Sequence, residues 1–197
     1  MKRLKREERR KRILDSAIRV FARKNYQAAT TAEIAKEAGV SEALIYQHFK
    51  SKKELFIASI EETSSFFIEN LKQILKRYSS DPVEGFRSVY RFYYNYLKRD
   101  PTLAKMSLMI IAEADDPEIK EALRTYLQKA VSILAKAIRN AQNKGLIVST
   151  FNPEAMAWLL VGNYNLLALL KLIDALDTFD EESVIRMVEP FVTVTKK

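Results

Sequence analysis

A chain of 197 residues, 48% of them hydrophobic, is long enough to bury a substantial core, which excludes wholesale disorder. Four glycines and five prolines are too few turn residues for a many-stranded β fold, and the lack of cysteine removes disulfides, thiol catalysis and cysteine-ligated zinc. The net charge of +8 is lopsided: residues 1–55 carry 15 Lys/Arg against 7 Asp/Glu, while residues 56–197 carry 18 of each. A positive excess confined to the first quarter of a chain draws polyanions, nucleic acid or an anionic membrane surface.

The N-terminus carries charge without the apolar run of a secretory signal, so no targeting peptide is expected. Lys2–Arg12 holds eight cations in eleven residues. Positive charge opposes the dipole at a helix N-terminus, so helix stability does not explain the run. Lys2, Arg3, Lys5, Arg6, Arg9 and Arg10 are expected to act as a basic arm on the DNA backbone or minor groove. Next, Leu14, Ala17, Ile18, Phe21 and Ala22 form the apolar stripe of an amphipathic helix.

Thr30–Phe49 follows as two short helices joined by a tight turn. Thr30-x-x-Glu33 has capping-box spacing, Ile34, Ala38, Val40 and Ile45 supply apolar packing, and Ala35 is small where two helices must cross. Gly39 sits where the turn wants a positive φ, and Ser41 is placed to cap the second helix. Glu42, Ala43, Tyr46 and Gln47 then lie near its exposed N-terminal end, the end that a helix-turn-helix presents to the major groove. Ser51-x-x-Glu54 marks the start of a fourth helix.

The run TTAEIAKEAGVSEALIYQHFKSKKELF resembles the signature of the TetR family of one-component regulators over about 27 residues without a gap. The preceding helix ending in FARKNYQAAT fits as well. The resemblance implies phosphate contacts from Thr31, Tyr46, His48 and Lys52. It assigns base reading to Ser41, Glu42, Ala43, Leu44 and Gln47, with Gln47 able to pair an adenine edge. Where the family often carries Gly-Thr, this chain has Ala43-Leu44, which removes a hydroxyl and offers a methyl contact to thymine. His48 is the single histidine, which excludes a His–His metal site.

Beyond residue 55, four pairs mark helix starts: Asp81-Pro82, Asp100-Pro101, Asp116-Pro117 and Asn152-Pro153. In each a capping side chain precedes a proline at the first helical position. Asp180, ahead of an acidic first turn, marks another. Phe86, Val89, Tyr90, Tyr93 and Leu97 form one stripe; Ile119 to Ile138 form another, with Gly145 as its stop. Pro153–Leu176 is apolar nearly all round and long enough to span a membrane, but Asn163, Asn165 and Lys171 would be costly in lipid. Such a helix also results when one face meets its own core and another meets a partner subunit. Gly162, expensive mid-helix, is expected where another helix approaches closely.

These marks predict an all-α chain of about nine helices. A helix-turn-helix DNA-binding domain is expected over residues 1–50, and a helical ligand-binding and dimerisation domain over 51–197. The resemblance implies a homodimer through helices at about 153–176 and 180–194, the latter by way of Val184, Val188, Phe191 and Val192, and hence a palindromic operator of double-stranded DNA. It also implies an effector cavity among the middle helices, with Phe66, Phe67, Tyr93, Met106, Met109, Ile110, Tyr126, Trp158 and Asn163 as candidates. Asn163 needs a partner, either the ligand or the opposing subunit. The first effector class expected is an acyl chain or acyl-CoA, the second an aromatic or cationic drug-like compound. No phosphate-cradling loop, nucleophile elbow or HExxH motif occurs, so neither an enzyme nor a cofactor is expected. The protein is read as a cytoplasmic, ligand-released repressor with no membrane partner.

Overall fold

The computed structural model describes residues 6–147 and 149–187. Within them the chain forms nine α-helices and one 3-10 turn, with no strand. They run α1 (Arg6–Ala28), α2 (Thr31–Ala38), α3 (Glu42–His48), α4 (Lys52–Arg77), α5 (Pro82–Arg99), α6 (Thr102–Ala112), α7 (Pro117–Asn143), α8 (Pro153–Leu172) and α9 (Glu181–Arg186), with the 3-10 turn at Leu176–Thr178 before α9. Lys2, Arg3, Lys5, Val188, Phe191 and Val192 lie outside the described residues.

The capping chemistry sets the helix starts. Thr30 and Glu33 close a complete capping box on α2. Asp81, Asp116, Asn152 and Asp180 each accept a backbone N–H in the first turn of the helix that follows. Asp100 accepts the N–H of Thr102 at 2.9 Å, so α6 begins one residue later than the Asp-Pro pair suggests.

Three further helix boundaries depart from expectation. Arg6, Arg9 and Arg10, expected in a basic arm, lie within α1; Glu7 and Glu8 in the first turn favour a helix there by complementing its dipole. Near its other end α1 breaks at Asn25, whose φ of 69° and ψ of 171° are non-helical. The side-chain oxygen of Asn25 accepts the N–H of Ala28, stabilising a final turn. The helix predicted to reach Leu176 stops at Leu172, because Asp174 adopts a left-handed φ of 58°. Ala175 N–H then returns to the Leu170 carbonyl at 2.8 Å, the closure of a Schellman motif.

Two main cores share the molecule. One packs α1, α2 and α3 onto the first turns of α4, and takes in Met106 and Ile110 of α6 and Ile119 of α7. The other joins α5, α7 and α8 with Leu176 and Val184. Between them Phe67, Leu103 and Tyr164 pack with Phe92, Tyr93 and Tyr96. The helix α4 feeds all three clusters, with Leu55 and Phe56 in the first, Phe67 in the aromatic one and Leu71 in the second. A displacement of α4 is therefore felt in each.

Candidate functional site

Gly39 turns α2 into α3 in the left-handed region, φ 62° and ψ 41°, and a guanidinium nitrogen of Arg12 stands 2.7 Å from where a Cβ would be. Ser41 accepts the Leu44 N–H at 3.3 Å, fixing the first turn of α3. Ile34, Ala35, Ala38 and Ile45 are buried beneath, so α3 is held by its inner side while Ser41, Glu42, Ala43, Tyr46 and Gln47 remain exposed. Leu44 is partly buried.

The side chains expected on phosphates are held in three different ways. Thr31 is nearly buried; its hydroxyl donates to the Glu42 carboxylate and lies 3.1 Å from the Tyr46 hydroxyl. Those three residues thus form one polar chain between α2 and α3, with the Tyr46 ring half exposed. Lys52 places its ammonium on the last carbonyls of α1 and the residue beyond, 2.9 Å from Tyr26 O, 3.3 Å from Gln27 O and 3.1 Å from Ala29 O. It also stands 4.7 Å from the centroid of the Tyr26 ring. In this structure Lys52 closes the end of α1.

His48 ends α3 beside the first turns of α1. Partial burial, then the charges of Arg6, Arg9 and Arg10, hold its imidazole below the usual histidine value. Arg10 lies over the Phe49 ring at 5.2 Å, and the Nε of Arg9 is buried without a hydrogen-bond partner. Three guanidiniums around an imidazole, opposed by the single carboxylate of Glu7, make an anion-attracting surface beside the exposed edge of α3. The sequence placed these arginines in a basic arm and His48 among the phosphate contacts without joining them; only folding brings them together.

A second candidate site lies among α4, α5, α7 and α8. Its cavity is small, about 30 Å³ of open space, with Tyr90, Tyr93, Tyr126 and Tyr164 in its walls. The Tyr90 hydroxyl donates to Leu160 O at 3.2 Å, with the Asn163 side chain beside it. Tyr164 shares a 3.4 Å contact with Ser107, and burial pushes its phenol up to about 12. Burial raises Tyr93 and Tyr126 as well, and each also feels the Tyr164 phenol. A neighbouring cavity adds Phe67, Met106, Ile110 and Asn165. Among the described residues no charged one lines either cavity.

Of the other expected cavity residues, Met109 packs against the N-terminal core. Phe66 and Trp158 line neither cavity and are 43% and 47% exposed. Trp158 belongs to an outward stripe of α8 with Leu159, Leu166, Leu169 and Ile173. The Gly162 Cβ position on the same helix has nothing within 4 Å, so the close approach expected there is not made within the chain. Val184, expected on a partner-facing stripe, is fully buried in the core of its own chain.

The model of bacterial regulatory proteins of the tetR family matches residues 13–59. The fatty acid metabolism regulator protein of Bacillus subtilis is 26% identical over 170 residues, covering 80% of this chain and 87% of its own. The HTH-type transcriptional regulator YvkB of the same organism is 31% identical over 137 residues, covering 70% and 69%. The fold superposes on the crystal structure of Bacillus subtilis FadR in complex with stearoyl-CoA with a TM-score of 0.78 at 22% identity, over 90% of this chain and 96% of that one. Helix order, the turn at Gly39 and these relatives agree: the chain belongs to the TetR family of transcriptional regulators.

Proposed function

We propose that the protein is a cytoplasmic repressor that binds a palindromic operator as a homodimer and releases it when a small, largely apolar effector binds, without enzymatic activity or a cofactor. The observation that carries this is the cluster of Arg6, Arg9 and Arg10 around the neutral imidazole of His48, beside the exposed edge of α3. Residues 1–50 would serve as the DNA-binding unit and 51–197 as the unit for effector and partner. Tyr46 and His48 would meet phosphates; Thr31 would act by positioning Tyr46, and Lys52 would reach a phosphate only by giving up carbonyls of α1. Ser41, Glu42, Ala43, Leu44 and Gln47 would face base edges.

The exposed apolar stripe of α8 supports a homodimer, since a monomer would leave five large apolar side chains in water. This accounts for a helix long and apolar enough to cross a membrane without one being needed. An acyl effector draws support from the fatty acid regulators among the relatives; an aromatic one draws support from the ring-lined cavity. Selection of duplexes from a random pool by the purified protein tests the reading. It should enrich a palindrome, bound with an affinity that falls steeply as salt rises. Enrichment of no palindrome over random DNA would refute it.

A further inference from the structure

The polar chain of Thr31, Glu42 and Tyr46 links the starts of α2 and α3 on the face that would meet DNA. A threonine hydroxyl has one proton, and that of Thr31 goes to the Glu42 carboxylate. Toward the Tyr46 hydroxyl, 3.1 Å away, Thr31 can therefore only accept. Both hydroxyl protons are thus committed within the protein. Thr31 is also the first residue of α2, where the helix dipole favours a negative group. The Glu42 carboxylate fills the anion position that hydroxyl and dipole define, although Glu42 and Tyr46 are themselves exposed.

We propose that Glu42 makes DNA binding conditional on sequence: in the free protein its carboxylate occupies the phosphate position at Thr31 and Tyr46, and on DNA it is displaced into the major groove, where a cytosine pairs it. This rests on the operator-binding reading and names one base of the operator. Displacement follows because a phosphate and a carboxylate are like charges competing for the same two hydroxyls. Glu42 is the first residue of α3, at the end presented to base edges, so the freed carboxylate turns toward them. It can only accept. Guanine and thymine offer oxygen there, adenine sets N7 beside its amine, and cytosine presents its N4 amine with no acceptor on the same base. Every duplex bears the cost of displacement, and only one with cytosine at that step recovers it.

The test compares dissociation constants of the full-length protein and its Glu42→Ala and Glu42→Gln variants on three kinds of duplex. These are the operator selected by the unaltered protein, that operator with each cytosine replaced in turn, and a random sequence. Glu42→Ala should bind the random duplex about fivefold more tightly and the operator about twofold more weakly, a fall of about tenfold in specificity ratio. One symmetry-related pair of operator positions should lose its preference for cytosine, and in Glu42→Gln that preference should move toward adenine. Equal tightening on operator and random DNA would reduce Glu42 to a repelling surface charge and overturn the proposal. Unchanged or weakened binding of random DNA overturns it too, as does a cytosine preference kept at every position. Should the unaltered protein select no palindrome, the operator reading itself fails before Glu42 is touched.

Discussion

His48 stands where α3 ends and three guanidiniums of α1 converge, and its imidazole is held below the ordinary histidine value by burial and by those charges. The free protein is thus largely neutral at this position near neutrality. A DNA phosphate brought into the cluster adds negative charge and raises the imidazole's pKa in the complex. Binding then takes up a proton, so affinity rises as pH falls through the bound-state value and levels off below the free-state value. Operator affinity is expected to increase about threefold or more between about pH 7.5 and 6, and His48→Gln should flatten the slope. An equal slope in the variant would remove His48 from the contact. Tyr46 offers a second check, because its hydroxyl lies against Thr31 while its ring is half exposed. Tyr46→Phe keeps the ring and should leave thermal stability nearly unchanged. Losing one phosphate hydrogen bond of about 1 kcal/mol should weaken operator binding about fivefold in a mobility-shift titration.

Adjacent residues at the start of α4 hold different elements. Lys52 caps α1 through three carbonyls, which would otherwise lose their hydrogen bonds. Lys52→Met is expected to destabilise the protein by about 1–3 kcal/mol in urea unfolding, a loss that a purely DNA-contacting lysine would not produce. Lys53 reaches the other way, 3.2 Å from Asp116 and also onto Glu118. The same Asp116 carboxylate accepts the N–H groups of Glu118 and Ile119, so one side chain holds both the start of α7 and the first turn of α4. Half-exposed ion pairs add only about 0–1 kcal/mol, so Lys53→Ala should change stability little. It should nonetheless shrink the weakening of DNA binding that effector produces, measured as the ratio of operator Kd with and without ligand. Most helix starts were legible because caps are local chemistry, Asp or Asn before Pro and Thr30 before Glu33. The breaks at Asn25 and Asp174 were not, since both use a positive φ at residues that carry no glycine signal.

Across the whole molecule, what could be read from sequence divides by contact range. The reading face of α3 follows from about twenty consecutive residues and their turn glycine. The cluster of His48 with Arg6, Arg9 and Arg10 joins segments some forty residues apart and becomes visible only after α1 folds against α3. The cavity was harder still, because tyrosine and methionine at helical spacing look alike whether they line a void or fill a core. Trp158 and Val184 show the same ambiguity in opposite directions: both are apolar at helical spacing, yet one faces out and the other is sealed inside. Only the outward set can drive association, and along α8 and its cap it runs from Trp158 and Leu159 through Leu166 and Leu169 to Ile173, with Gly162 leaving a notch for close approach in the turn between. A charge in the middle of that stripe would be buried unpaired in a dimer but costs nothing in a monomer. Leu169→Arg is therefore expected to keep its helical circular dichroism while sedimenting at half the mass. Because two linked reading heads gain affinity through effective concentration, the monomer should bind the operator about 100-fold more weakly. If the variant stays dimeric, the stripe on α8 is not the partner interface.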